Sequence, residues 1–142
     1  FIRATQELQQ GAINILPKIE EPKENEKIMI FSPHPDDETI SCGGYIQRAI
    51  KNKSKVWIIL ITDGNRRKIK HIRYQEFYNA ISILGLKEGD LIFLNYPDGK
   101  LYRYKSELYE DFFNIIEKYK PDKVFIPISY DNHKDHKISG EI

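Results

Sequence analysis

The sequence predicts an α/β fold, with a mostly parallel sheet between helices on both faces. Three observations predict it. Apolar runs of strand length alternate with helical apolar spacing from Lys27 onward. The runs are almost continuously apolar, as in strands buried on both faces. The unusual polar residues fall directly after the runs, at the strand ends where open α/β sheets bind ligands. Such alternation implies right-handed crossovers and a three-layer, Rossmann-like arrangement.

Residues 1–26 show no clear period. A short helix is expected near residues 5–15, and "PKIEEPKENEK", charged and with two prolines, reads as an exposed lead-in or linker. The domain is expected over residues 27–142. Its strands are "KIMIF" (27–31), "KVWIILIT" (55–62), "DLIFLNY" (90–96) and "DKVFIPI" (122–128). The first helix is expected over about residues 39–52. The second carries Phe77, Ala80, Ile81 and Leu84 at i, i+3, i+4, i+7 spacing and stops at Gly85. The third carries Leu108, Phe112, Ile115, Ile116 and Tyr119, with Ser106 as its expected N-cap and Pro121 as its stop. The chain begins with Phe1 and stops after a dense polar motif at the start of a further helix. It reads as a piece of a longer chain, truncated at the C-terminus.

With 142 residues the chain can bury one genuine core. A net charge of +1 gives no pull toward nucleic acid or an anionic membrane. The single cysteine, Cys42, excludes an internal disulfide and a multi-cysteine zinc site. No run of about 18 apolar residues and no signal-peptide pattern is present. The compartment stays open, cytoplasmic or, with an anchor or signal before Phe1, extracytoplasmic.

"SPHPDDE" follows the first strand, "TDGNRR" the second, "YPDG" the third and "SYDNHKDH" the fourth. One crevice therefore gathers His34, Asp36, Asp37, Glu38, Asp63, Asp98, Asp131, His133, Asp135 and His136. Like charges packed so closely need an offsetting cation. Imidazole with carboxylate and no thiolate suits Zn2+ or another first-row divalent metal. His34 and Asp37, three apart on a turn, with His136 from the fourth strand end, supply two nitrogens and one oxygen. Asp36 is left beside the metal to take a proton from water, whose pKa such an ion lowers from about 15.7 toward about 7. His133 can stabilise an oxyanion or protonate a leaving amine. Asp135 can hold an imidazole in one tautomer.

Each motif also has a plainer reading. "PHPDDE" alone suits a helix N-terminus, where acidic groups complement the dipole, and "HKDH" alone is an ordinary solvated loop. Their pairing on one sheet edge is what carries the metal reading. "NRRKIKHIR" is a solvated helix start, although Arg66 or Arg67 can reach a substrate sugar or phosphate. Asp98 in "PDG" is a turn residue at the pocket lip, placed for substrate contact.

At these residues the chain resembles the PIG-L/LmbE-like family of zinc-dependent deacetylases of N-acetylglucosamine type. "PHPDDE" (33–38) and His133-Lys134-Asp135-His136 match the two family signatures. "TDG" (62–64), "RYQE" (73–76), "LGL" (84–86) and "PDG" (97–99) are also similar. Lys134 stands where many relatives have proline. The resemblance implies zinc on His34, Asp37 and His136, Asp36 as general base, and His133 as acid or oxyanion stabiliser. It implies a hydrolase that removes an N-acetyl group from an N-acetylated amino sugar or glycoconjugate. Two other readings are a non-catalytic metal- or carbohydrate-binding domain of the same fold, and a phospho-acceptor or phosphatase-like domain. No nucleic-acid partner is expected, and no membrane contact is indicated within this chain.

Overall fold

The computed structural model describes residues 21–66 and 68–142. The helix expected near residues 5–15 lies outside them. Strands β1 (Lys27–Ser32), β2 (Lys55–Thr62), β3 (Leu91–Tyr96) and β4 (Lys123–Phe125) form one sheet in the order β3-β2-β1-β4. Every neighbouring pair is parallel, as expected. Helices α1 (Asp37–Lys51), α2 (Lys70–Ile83), α3 (Lys105–Tyr119) and α4 (Lys134–Glu141) complete the described fold.

The alternation of side chains along a strand explains the layers. Ile28 and Ile30 of β1, with Val56, Ile58 and Leu60 of β2, pack against Ile46 and Ala49 of α1 and Phe77 and Ile81 of α2. Met29 and Phe31, with Ile59 and Ile61, face the other way, toward Leu108 and Phe112 of α3 and Ile138 of α4. Both central strands are thus buried on both faces, which is why their sequences lack polar alternation. Each fully buried aliphatic side chain contributes about 1.5–3 kcal/mol, so β1 and β2 form the rigid centre.

Four expectations need correction. The fourth strand was expected over residues 122–128 but covers only Lys123–Phe125. It is an edge strand paired on one side to β1, and Pro127 has no N–H to extend a ladder. Val124, Ile126 and Ile128 are 38%, 52% and 62% exposed. Ser106 does not cap α3: the cap position is Tyr104, without a side-chain cap bond. A 3-10 turn, Leu101–Arg103, runs directly into the helix and supplies the entry geometry instead. Helix α1 starts at Asp37, two residues earlier than expected, so Asp37 and Glu38 lie in its first turn. Residues 22–26, expected within an exposed lead-in, are tied to the α1–β2 corner. Asn52 Nδ2 donates to the Pro22 carbonyl at 2.7 Å, and Glu26 N–H donates to Ser54 Oγ at 3.2 Å.

The chain builds β1 first, adds β2 and β3 on one side, then returns to place β4 on the other. The order therefore reverses between β1 and β4. A crevice opens at such a point outside the strand ends, and the loops carrying "PHPDDE" and "HKDH" flank it.

Candidate metal and catalytic site

The loop after β1 is held from several sides. Thr62, at the end of β2, donates its N–H and its hydroxyl to the Pro33 carbonyl at 3.0 and 2.7 Å. Gly64 lies against Pro35: a Cβ there would come within 2.9 Å of Pro35 Cγ, and its φ of +60° also favours glycine. Asp36 has φ 142° and ψ −28°, a region that non-glycine residues rarely adopt. Glu38 braces this strained turn. Its carboxylate is 1% exposed and accepts from Asp36 N–H at 3.3 Å, Ser32 Oγ at 3.0 Å and Thr39 Oγ1 at 2.6 Å. Arg73, from the first turn of α2, donates to the Pro35 carbonyl at 3.2 Å and to both Asp36 oxygens at 3.3 Å.

His34 Nδ1, Asp37 Oδ2 and His136 Nε2 form a near-equilateral triangle. Its sides are 3.3 Å (His34–Asp37), 3.1 Å (Asp37–His136) and 3.3 Å (His34–His136). The far nitrogen of each ring meets a carboxylate. His34 Nε2 lies 3.2 Å from Asp135 Oδ2 and 3.4 Å from Asp98 Oδ1, and His136 Nδ1 lies 2.9 Å from Asp131 Oδ2. Those partners assign the N–H to the far nitrogens when the rings are neutral. Three lone pairs then converge on one point, a repulsive arrangement unless a cation occupies it. Donors at about 2.0–2.1 Å around a tetrahedral zinc stand about 3.3 Å apart, so the residues fit that ion.

Among the described residues two other groupings bring ligand atoms within 4.8 Å: His34, His133 and His136, and His34, Asp98 and Asp135. The second approaches His34 through the nitrogen that hydrogen-bonds Asp135. The Asp37 triangle uses the nitrogen that each ring has free.

The electrostatics agree. Burial alone would lower His34, but the carboxylates of Asp135 and Asp37 outweigh it and raise the imidazole to about 9. Burial pushes Asp37 up, yet the hydrogen bond from His34 and the charge of His136 bring it below its ordinary value. Without metal, a proton on His34 supplies the positive charge that the carboxylates demand. His133 shifts the opposite way, lowered by burial and then by the charges of His34 and His136. Asp36 is raised, chiefly by burial and against the opposing charge of Arg73.

A cavity of about 410 Å³ opens beside the triangle, lined by His34, Asp36, Arg66, Arg73, Asp98 and His133 among others. Asp36 and His133 thus face one space. His133 stands edge-on to His34 with ring centroids 4.7 Å apart. Its Nδ1 is buried and, like Tyr74 Oη, has no hydrogen-bond partner among the described residues, a deficit worth about 1–3 kcal/mol.

The fold therefore brings together His34, Asp36, Asp37, Asp98, His133, Asp135 and His136, with Arg66 on the cavity wall; Arg67 lies outside the described residues. Asp135, fully buried, holds His34 and also accepts from the N–H groups of Gly99 at 2.7 Å and Leu101 at 3.3 Å. Asp98 is only 5% exposed and lies 3.6 Å from Arg73, deeper than a lip residue. Asp63 braces loops, accepting from Asn65 and Asp98 N–H. Two roles escaped the sequence. Arg73 was visible only as part of "RYQE", and Asp131 only as one of the gathered acids. The carboxylate just before the helix that carries His136 was the available signal for Asp131.

Residues 29–142 match the protein family described as PIG-L: GlcNAc-PI de-N-acetylase. The chain is similar to diacetylchitobiose deacetylase of Thermococcus kodakarensis, 29% identical over 136 residues, covering 87% of this chain and 50% of that protein. It is also similar to the probable N-acetyl-alpha-D-glucosaminyl L-malate deacetylase 2 of Bacillus anthracis, 29% identical over 134 residues, covering 84% and 58%. Among solved structures, N,N'-diacetylchitobiose deacetylase from Pyrococcus horikoshii superposes with a TM-score of 0.76 at 28% identity, covering 99% of this chain and 56% of that one. The chain spans about half the length of these relatives. The family match begins inside β1 and runs to the last residue, so it takes in every side chain of the triangle and of the cavity beside it; the chain belongs to the PIG-L de-N-acetylase family.

Proposed function

We propose that this chain carries the catalytic site of a zinc-dependent N-deacetylase that hydrolyses the linear acetamide of an N-acetylated amino sugar or glycoconjugate. The observation that carries the reading is the lone-pair triangle of His34, Asp37 and His136 beside a cavity lined by Asp36 and His133. Zinc bound there supplies a Lewis acid for the acetyl carbonyl and a lowered pKa for water.

The chain's own residues supply the rest. Asp36 accepts the proton of the attacking water. Its backbone strain and the contact of Arg73 Nη2 with both its oxygens keep its carboxylate on the cavity. His133 offers an N–H to the oxyanion as the carbonyl becomes tetrahedral. The C–N bond then breaks, and the proton taken from water is delivered to the leaving nitrogen. Acetate and a free amine result. Asp98 and Arg66, on the same cavity, contact the sugar. The relatives' names point to N-acetylated glucosamine compounds as the substrate class.

Two imidazoles in the triangle weigh against a phospho-acceptor or phosphatase-like site, which binds magnesium through oxygen. The test is amine release from N,N'-diacetylchitobiose by zinc-loaded protein, beside metal-free protein and Asp36→Asn. Zinc-dependent release abolished by Asp36→Asn is the expected result. Zinc bound at the triangle with no release from any N-acetylglucosamine derivative would leave a binding domain instead.

A further inference from the structure

We propose that the catalytic cavity continues into a cationic subsite, formed by Arg66 and Lys134 with Asn132 and Tyr102, that takes an anionic group on the substrate's aglycone. This deepens the deacetylase reading and rests on it. A second cavity, of about 380 Å³, is lined by Arg66, Gly99, Tyr102, Asn132, His133 and Lys134. It shares Arg66 and His133 with the catalytic cavity. A substrate with its acetamide at Asp36 and His133 therefore extends past these two side chains into the second space.

The charge balance differs between the two spaces. The catalytic cavity sets the carboxylates of Asp36 and Asp98 against Arg66 and Arg73, whereas the second is lined by Arg66 and Lys134 and by no carboxylate. Among the described residues, neither the Arg66 guanidinium nor the Lys134 ammonium has a carboxylate partner. A neighbouring groove shows the contrast. It shares Tyr102 and Lys134, but its own Lys105 and Lys137 lie 2.8 and 3.9 Å from Glu141. Of the cations lining this groove and the second cavity, Arg66 and Lys134 are thus the ones without a carboxylate partner, and both line the cavity adjoining the reacting centre.

Both cations are placed by their surroundings. The Arg66 side chain lies across Gly99, where a Cβ would meet its Cδ at 3.4 Å and its Nε at 3.6 Å. Its backbone N–H donates to Asp98 Oδ2 at 3.3 Å. Lys134 sits between His133 and Asp135, so the metal site fixes its Cα. A planar guanidinium and a compact ammonium together suit a carboxylate or phosphate. Tyr102, 50% exposed, adds an aromatic face, and Asn132 an amide for hydroxyl or acid oxygens.

Calorimetric titration of the zinc-loaded protein tests this with three probes: the methyl glycoside of N-acetylglucosamine, N-acetylglucosamine 1-phosphate, and the glycoside of N-acetylglucosamine with glycolic acid. An anionic probe should bind about tenfold tighter than the methyl glycoside, and the preference should shrink from low to high salt. Which anionic probe gains more distinguishes phosphate from carboxylate. In the Arg66→Gln/Lys134→Gln double variant the preference, taken as the ratio of anionic-probe to methyl-glycoside affinity in that same variant, should fall below about twofold, and Lys134→Gln alone should leave the methyl glycoside unaffected. Equal binding of all three probes overturns the subsite. So does a preference that survives in the double variant, because the metal would then hold the anion. Inorganic phosphate binding as tightly as the sugar phosphate would mean an adventitious ion only. Amine release from the same probes reads the chemistry separately. An anion preference without release refutes the deacetylase and keeps the subsite, whereas release without preference does the reverse.

Discussion

The two loops that meet at the triangle are built differently. The loop after β1 is buried at Ser32, His34 and Glu38 and is tied to β2 by Thr62 and to α2 by Arg73. The loop after β4 leaves a short edge strand and runs exposed, with Ile126, Ile128 and Tyr130 at 52%, 62% and 88%. It is tied down at its far end, where Asp131 Oδ1 accepts from His133 N–H at 2.7 Å and Ser139 and Ile138 of α4 are buried. Gly140 lets α4 approach that loop so closely that a Cβ would fall 2.4 Å from the Pro127 carbonyl oxygen. The first loop thus carries the proposed base, Asp36, and two corners of the triangle, His34 and Asp37, on a rigid support. The second brings the third corner, His136, on a support with less burial, and closing the triangle depends on it. The predictions below test that division, from the largest effect to the smallest.

The first concerns neighbouring residues on the rigid loop. Asp36→Asn should lower amine release by about two to four orders of magnitude and retain zinc. Asp37→Asn should instead lose zinc, because a neutral amide is a poorer ligand. Metal content and turnover measured together decide it, and Asp36→Asn losing metal while Asp37→Asn keeps it would exchange the two roles.

Glu38→Ala tests whether the first loop is rigid because of its buried brace. It removes the acceptor of three donors, at a cost of about 3 kcal/mol. The metal-free melting temperature should drop accordingly, and Glu38→Gln, which keeps an acceptor, should recover part of it. An unchanged melt would mean that β2 and α2 hold the loop without Glu38.

The third prediction concerns pH. The folded chain raises His34 from 6.5 to about 9, so the metal-free fold binds this proton more tightly than the unfolded chain does. The resulting stabilisation is complete below about pH 6.5 and is lost as pH rises toward 9. The lowered value of His133 acts below its ordinary 6.5, outside this window. Metal-free protein should lose about 2 kcal/mol between pH 6.5 and 9. Zinc should flatten that slope by replacing the proton. A metal-free melt independent of pH across this window would contradict the charge balance read from the site.

The smallest effect belongs to the second loop. Asp131→Asn removes the charge behind His136 and should weaken zinc affinity by about tenfold, without the loss expected of a ligand change. Competition with a chelator measures it, and an unaltered affinity would show that α4 alone orients His136.

Local sequence determined the parts that local physics controls. Unbroken apolar runs marked β1 and β2 because both faces of those strands are buried. The 3.6-residue spacing of Phe77, Ile81 and Leu84 marked the buried face of α2. "PHPDDE" and "HKDH" marked the chemistry because few other combinations put imidazole and carboxylate at two strand ends. Tertiary structure alone decided what depends on neighbours distant in sequence. The free nitrogen of His34 is chosen by Asp135, 101 residues away, and Asp36 is aimed by Arg73, 37 residues away. The run "DKVFIPI" is as apolar as the other strands, yet only three of its residues pair. Hydrophobicity reports the tendency to be covered, whereas the position of a strand in the order β3-β2-β1-β4 decides which edge and face are covered. That order is a property of the whole chain, and no window of residues contains it.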